Sequence, residues 1–457
     1  MRTSDFDPIS VDIFNRQLKR ATWLVLLAFS VLIFRLWFLQ VFKGGMYRKK
    51  SEDNRFQLRS IPPFRGVIFD RKGRVLVGNR PSYDLYVSLE GVSDRAGLIE
   101  TLHRLIGLDP AAAERELSRV PAAYPFRPVC LRKGMNRDEL AVIETHRFNL
   151  PGVMIKVTPE RYYVRGAFCS HLLGYLGEIT EAQLKSGRYP GLRRGDLIGK
   201  SGVERTWQAD LNGRRGGEQV EVDAEGRRIR VVSRKPAVSG AAVCLTIDSD
   251  LQCLAERLLS GKRGAVVAVN PEDGQVLALA SSPSFDPNLF VGGMDRLAWR
   301  RIISSKGFPL QNRALAGQYP PGSVFKIIVA LAGLEEGVID PEEKILCNGR
   351  FMLGSHEYRC WKRGGHGRVN LHRALKESCD VYFYQMGKRL GIDRIARYAR
   401  RFGLGRATGI DVGREKPGLV PSREWKRKRF GVPWQAGETI SVSIGQSFLL
   451  VTPIQMA

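Results

Sequence analysis

Gln318-Tyr319-Pro320-Pro321-Gly322-Ser323-Val324-Phe325-Lys326-Ile327-Ile328-Val329-Ala330 is the stretch around which the chain is organised. Pro320, Pro321 and Gly322 do not continue a helix, and the apolar run after them does. The pattern predicts Ser323 at a helix start, where free backbone N–H groups favour negative charge. Lys326 lies on the same face, one turn along. Val324, Phe325, Ile327 and Ile328 predict a dry setting, which disfavours an ammonium and makes lysine a usable base. A serine hydroxyl is a poor nucleophile until a neighbour takes its proton. A capping serine followed by a snorkelling lysine reads the same, so these residues alone leave both readings open.

Outward from this stretch, 457 residues suffice for two or three domains and a large core. Lys+Arg is 72 against Asp+Glu 46, a formal charge of +26. Such a surplus suits nucleic acid, an anionic membrane surface, an anionic substrate or a solvated basic surface. The sequence has no zinc-finger spacing, RNP-like segment or Walker loop, so nucleic acid is not expected as a partner. The seven cysteines (Cys130, Cys169, Cys244, Cys253, Cys347, Cys360 and Cys379) are an odd number in a long chain, unlike a disulfide scaffold.

Residues 21–42 are apolar enough and long enough to span a bilayer as a helix. Arg16, Lys19 and Arg20 precede them, which predicts a cytoplasmic tail at 1–20 and everything after residue 43 outside the cytoplasm. Lys43, Arg48, Lys49 and Lys50 weaken that charge asymmetry. No small-residue cleavage site follows, so the span reads as a retained anchor. Arg35 within it either snorkels outward or faces another membrane protein.

Residues 61–90 predict short strands: a pair around Lys72-Gly73, then another at Pro81–Val87. Residues 93–146 look helical and polar, interrupted at Pro121 and Pro125. Residues 213–240 read as a strand pair and a connector. Composition shifts near 241. A strand is predicted at Ala242–Asp248, a helix at Ser249–Leu259, and a hairpin of buried strands within Gly264–Ala280. The Ser323 helix is expected to pack on that hairpin, in an α+β or three-layer arrangement.

Leu371–Leu390 reads as one helical stretch carrying Ser378-Cys379-Asp380. A second hydroxyl beside the nucleophile can relay a proton to a leaving amine, and Asp380 can orient it or the lysine. An ionised Asp380 near Lys326 would favour the ammonium and work against a neutral base. Cys347, Cys360, His366 and Cys379 thread the same region. One histidine and three thiolates make a closed tetrahedral zinc set. A disulfide between two of these cysteines, or free thiols with a surface histidine, fits the long spacing equally well. His356 and His372 are read as surface residues.

Together these stretches resemble the class B penicillin-binding proteins, and within them the penicillin-binding protein 2 type of cell elongation. Tyr319–Lys326 resembles the first active-site motif of that family, and Ser378-Cys379-Asp380 the second, in its S-x-D form. Arg65–Arg71 is similar to a membrane-proximal pedestal motif, and Gly202-Val203-Glu204 with Leu211-Asn212-Gly213 to a later one. Ser443–Gln446 and Thr452–Ala457 resemble the helix entry that follows. Ser447 stands where the family commonly has glycine.

The resemblance implies a single transmembrane helix at 21–42 and an elongated mixed α/β pedestal at 43–240 with a helical head near 93–150. A transpeptidase domain of helices around an antiparallel sheet follows at 241–457. The family's third motif, K-T-G or similar, does not occur between Ser378 and Ala457, so the resemblance implies a domain cut short before it and little activity in isolation. The implied activity is peptidoglycan D,D-transpeptidation during elongation through a Ser323 acyl-enzyme, with Lys326 as base and Ser378 and Asp380 assisting. β-Lactams would act as inhibitors. The implied zinc ligands are Cys347, Cys360, His366 and Cys379, in a structural site. The implied partners are D-Ala-D-Ala stem peptides, a SEDS-type glycosyltransferase and other elongation-complex proteins of the bacterial inner membrane. A non-catalytic cell-wall scaffold of the same fold, or a division-type transpeptidase, is the alternative.

Overall fold

The computed structural model describes residues 8–46, 56–90, 92–119, 128–223, 228–294 and 296–457. Arg48, Lys49, Lys50, Pro121 and Pro125, invoked above, lie outside the described residues. The chain opens with α1 (Pro8–Trp37), continued by a π-type turn at Phe38–Phe42. Next come β1 (Phe56–Ile61), β2 (Ile68–Phe69), β3 (Val75–Val87), α2 (Arg95–Ile106), α3 (Pro110–Leu117), β4 (Val129–Met135), α4 (Arg137–Thr145) and β5 (Val153–Tyr163). Short pieces follow: α5 (Ser170–Leu173), β6 (Leu176–Glu178), α6 (Glu181–Lys185), β7 (Leu197–Gly199), α7 (Gly202–Thr206) and α8 (Gln208–Leu211). Then come β8 (Gly216–Val222), β9 (Arg228–Lys235), β10 (Val243–Cys244), α9 (Ser249–Leu258), β11 (Gly264–Val269) and β12 (Val276–Ser282). The C-terminal part has α10 (Asn288–Val291), α11 (Arg296–Ser304), α12 (Arg313–Ala316), a 3-10 turn at Gly322–Phe325 and α13 (Lys326–Glu335). It continues through β13 (Ile345–Cys347), β14 (Arg350–Leu353), β15 (His356–Arg359), β16 (Gly367–Val369), α14 (Leu371–Lys376), α15 (Asp380–Leu390) and α16 (Ile392–Arg401). It ends with α17 (Arg423–Phe430), α18 (Ala436–Ser443) and α19 (Pro453–Met456).

Among the described residues, Asn15–Phe42 is the one helical run long and apolar enough to cross a membrane. Its 28 residues reach about 42 Å at the α-helical rise. Arg35 lies over the ring of Phe38, its guanidinium carbon 5.9 Å from the centroid.

The chain divides into two compact units. One comprises residues up to 62, 84–156 and 215–237. Its three-stranded sheet has β8 at the centre, antiparallel to β1 and β9. Its helices start where the sequence supplies caps. Asp94 accepts from the Gly97 amide at α2, Asp109 precedes Pro110 at α3, and Asn136 and Glu139 form a capping box at α4. The polar, helical reading of 93–146 omitted β4, whose alternation is masked by Arg132, Lys133 and Gly134.

The other unit comprises 63–83, 157–214 and 238–457. β2 pairs antiparallel with β3 and parallel with β10. The strand expected at Ala242–Asp248 shrinks to β10, because Asp248 turns to cap α9 instead. The separate strands expected either side of Pro81 are one strand, β3; Pro81 is exposed within it. The core joins Ile68, Val77, Tyr163, Leu173, Val203, Leu211, Leu279 and Leu315.

Beside that core sits a buried ion cluster. Glu204 accepts from Arg65 Nε at 2.6 Å and from Arg161 Nε at 2.7 Å, with its side chain fully buried. Burial opposes its charge, but the Arg65 and Arg161 guanidiniums outweigh that and hold the carboxyl below its usual range. Arg161 also donates to Gly66 O and Arg65 to Gln208 Oε1, so the two pedestal-like motifs are hydrogen-bonded to each other.

The β11–β12 hairpin forms where expected. Its β11 strand, expected to be buried, is only half-buried. It packs mainly on α5, α9, α12 and α19. The expected packing of the Ser323 helix on it is not what α13 does: α13 packs chiefly on α14, α15 and α16. The reason is that α13 is apolar on more than one face. Phe325, Val329 and Ala332 turn inward to those helices, while Val324, Ile327, Leu331 and Leu334 form an exposed stripe.

Replacing Glu204 by Ala strands two buried guanidiniums and is expected to cost about 3–5 kcal/mol of stability. Thermal unfolding in detergent measures this; a melting temperature equal to wild type would show that the cluster does not hold the unit together.

Candidate active site

Pro320 and Pro321 end the extended segment before Ser323, whose Tyr319 pairs with Val451 in both directions (2.8 and 2.9 Å). Ser323 lies in the 3-10 turn that leads into α13, a tighter start than the expected α-turn. Gly322 donates its N–H to Gly445 O at 2.9 Å. A Cβ on Gly445 would stand 2.1 Å from Gly322 O, and Gly445 has φ 75, so this close approach requires glycine. The Ser443–Gln446 stretch therefore braces the serine turn from behind. Ser447 has φ 66, which explains why glycine suits that position; serine carries the conformation here.

Ser323 is exposed, whereas Lys326 is 1% exposed. Lys326 Nζ lies 2.6 Å from Asp380 Oδ1, 3.0 Å from Ser378 Oγ and 2.9 Å from Ser378 O. Ser378 Oγ in turn lies 2.9 Å from Ser323 Oγ. The four predicted residues thus converge, with one correction. Lys326 and Ser323 share no hydrogen bond; Ser378 stands between them. The same three contacts suit an ammonium donating three bonds, or a neutral amine donating to Asp380 and Ser378 O while accepting from Ser378 Oγ. The ring of Phe383 closes one side, 5.5 Å from Nζ.

A second correction concerns the helix expected over 371–390. It breaks between α14 and α15, and Ser378 takes φ 51. Leu371–Leu390 contains no proline to announce this, and its lone glycine, Gly387, lies inside α15. The break puts Asp380 in the first turn of α15, where the helix dipole favours a carboxylate. Asp380 is buried, and its other oxygen accepts the Trp361 amide at 3.0 Å.

Cys347, Cys360, His366 and Cys379 are all buried, with their ligand atoms within 4.8 Å of one another. Pairing of Cys347 with Gly367 across β13–β16 brings His366 beside it. The β14–β15 hairpin returns Cys360 to the same spot, and Cys379 sits at the N-terminus of α15. His366 Nδ1 lies 3.5 Å from Cys347 Sγ and 3.6 Å from Cys360 Sγ. Both distances are close to the N-to-S edge that a tetrahedral zinc site would have, about 3.6 Å given ligand bonds of about 2.0–2.3 Å. All three cysteines are free thiols. Burial, the main cause, lowers the His366 pKa and so keeps the imidazole neutral, as a ligand must be; it also pushes the Cys379 thiol up. His366 Nε2 is buried without a hydrogen bond, 3.9 Å from Glu377 Oε2. His356 and His372 are exposed, as expected.

Sequence reasoning missed Trp361, which joins this cluster to Ser378 and Asp380; an aromatic inside a glycine-rich loop carries no pattern that marks it. It also missed Gly445 as the brace of Ser323, although Gly445 lay inside a quoted motif.

Two family descriptions match the chain: "Penicillin-binding Protein dimerisation domain" over residues 60–245 and "Penicillin binding protein transpeptidase domain" over 264–457. The chain is 38% identical over 450 residues to peptidoglycan D,D-transpeptidase MrdA of Acinetobacter baumannii, covering 97% of this chain and 66% of that protein. It is 37% identical over 462 residues to the Salmonella typhimurium MrdA, covering all of this chain and 74% of that one. Among solved structures, the complex between penicillin-binding protein 2 and MreC from Helicobacter pylori superposes with TM-score 0.78 at 29% identity, over 88% of this chain and 75% of that one.

Replacing Lys326 by Met leaves the buried Asp380 carboxylate without its Nζ partner, at an expected cost of about 3–5 kcal/mol. Adding Asp380→Asn is expected to recover part of that loss. A double-mutant cycle by thermal unfolding checks it, and strictly additive losses would mean the pair is not coupled.

Proposed function

The chain belongs to the penicillin-binding proteins, and on that premise we propose that it is an elongation-type peptidoglycan D,D-transpeptidase working through a Ser323 acyl-enzyme. The observation that carries this reading is the unbroken run from Asp380 Oδ1 through Lys326 Nζ and Ser378 Oγ to Ser323 Oγ, with steps of 2.6, 3.0 and 2.9 Å.

Ser323 Oγ attacks the carbonyl carbon of the penultimate D-alanine of a stem peptide. Its proton passes to Ser378 Oγ while the Ser378 proton moves to the lone pair of Lys326 Nζ. Asp380 stabilises the ammonium so formed. Free N–H groups at the helix start favour the developing oxyanion. The bond to the terminal D-alanine then breaks, and the relay runs backwards, from Lys326 to Ser378 to the departing nitrogen. An amine of a neighbouring stem peptide then attacks the ester carbonyl and gives up one proton to the relay, which returns it to Ser323 Oγ as the ester bond breaks and the cross-link forms. β-Lactams acylate the same oxygen.

Cys347, Cys360, His366 and Cys379 would hold a zinc ion with four protein ligands, and that ion would supply cross-linking and no chemistry. These residues would thereby tie the loop at 347–367 to Cys379, between Ser378 and Asp380. Residues 21–42 anchor the protein in the inner membrane, with the tail at 1–20 in the cytoplasm. Residues 43–240 act as the pedestal, with the head near 93–150, and 241–457 belong to the transpeptidase domain. The Helicobacter pylori relative is solved in complex with MreC, which supports a protein partner for this chain; a SEDS-type glycosyltransferase and other elongation-complex proteins belong to the same reading.

In the full-length protein, Ser323→Ala is expected to abolish labelling by a fluorescent penicillin. Ser378→Ala and Lys326→Ala are expected to slow acylation by about 10²–10⁴-fold. Labelling that survives Ser323→Ala would reduce the protein to a scaffold with a penicillin-binding fold. Native mass spectrometry is expected to show one zinc ion per chain, lost on Cys360→Ala. A Cys347–Cys360 disulfide in its place would remove the zinc assignment.

A further inference from the structure

Trp361 is 64% exposed, yet both of its N–H groups are used inside the site. Its backbone N–H donates to Asp380 Oδ2 at 3.0 Å, on the carboxylate whose other oxygen holds Lys326. Its indole Nε1–H is shared between Glu377 O and Ser378 O, at 3.1 Å each. Ser378 O is also an acceptor for Lys326 Nζ. An exposed indole could give its proton to water at no cost, and an aromatic ring on a loop needs no such geometry. The ring orientation is set from the other side by His366, edge to face at 5.4 Å between centroids.

We propose that Trp361 is a positioning residue for acylation, holding the Ser378 carbonyl and the Asp380 carboxylate so that Lys326 is aimed at Ser378 Oγ. The proposal rests on the Ser323 acyl-enzyme reading. Ser378 needs such a hold because its φ of 51 is one that a residue with a Cβ rarely adopts. The indole grips the two carbonyls on either side of the Ser378 Cα, so rotation at Ser378 breaks that grip. With the grip lost, the Ser378 hydroxyl and carbonyl drift together, and Lys326 loses two of its three partners at once. The hydrogen bonds of Trp361 go to Asp380, Glu377 and Ser378 and not to Ser323, so it acts through Ser378 and Asp380. Because Trp361 follows Cys360 directly, its backbone position depends on the Cys/His cluster, which makes it the link from that cluster to the relay.

The test is Trp361→Phe in the full-length protein. It keeps an aromatic side chain and the backbone N–H, and deletes the indole donor together with part of the ring. Because the ring is largely exposed, the change opens no cavity in the core. Stopped-flow acylation by a fluorescent penicillin separates the binding constant from the acylation rate constant. The expected result is an acylation rate constant about three- to thirtyfold lower, the loss of one hydrogen bond. The binding constant, melting temperature and zinc content are expected to match wild type. An unchanged acylation rate constant overturns the proposal. So does a loss that comes with a lower melting temperature or lost zinc, since Trp361 would then be merely structural. Ser323→Ala run alongside separates the two levels: labelling that survives it overturns the acyl-enzyme reading together with the proposal. Labelling abolished there, with normal acylation in Trp361→Phe, overturns the role of Trp361 alone.

Discussion

The placement of one nitrogen organises this protein. Lys326 Nζ is buried at the start of a helix, where the dipole opposes positive charge, and faces a carboxylate at the start of another, where the dipole supports negative charge. Its three neighbours satisfy either protonation state without moving. A nitrogen with that property can take up and return a proton while its surroundings stay still, and that is what acyl transfer by way of an ester requires of it. In the proposed mechanism the carboxylate that looked like an obstacle to a neutral base stabilises the charged form, with Ser378 between the proposed base and nucleophile.

Much of this was legible because local chemistry constrains it. Pro320-Pro321-Gly322 before an apolar run leaves few alternatives to a serine at a helix start; the caps Asp94, Asp109 and Asn136 are equally local, although the sequence reading did not single them out. The four members of the Cys/His cluster were candidates by residue type, but their spacing left a disulfide or free thiols equally open. What stayed hidden was whatever depends on contacts between distant residues. Arg65 and Glu204 stood out in separate motifs, but nothing local says that they meet 139 positions apart. An apolar helix such as α13 does not declare which face will be covered. Asp248 could continue a strand or cap a helix, and it capped the helix.

The hardest feature to foresee is also the one the chemistry needs. Leu371–Leu390 has the composition of one helix, and by propensity it should be one. In an unbroken helix the Ser378 carbonyl would be taken by the amide four residues on, and Lys326 would lose an acceptor. The left-handed turn at Ser378 gives up that helical bond and frees the carbonyl for Lys326 and Trp361. Local preference is overridden here by partners from elsewhere in the chain: a lysine 52 residues upstream, and a tryptophan set beside the Cys/His cluster. Strain of this kind persists only where the surroundings over-determine it. The cluster flanks the strained residue through Cys379 and braces it through Trp361, and it lies where relaxation of the backbone would break the hydrogen-bonded run from Asp380 to Ser323.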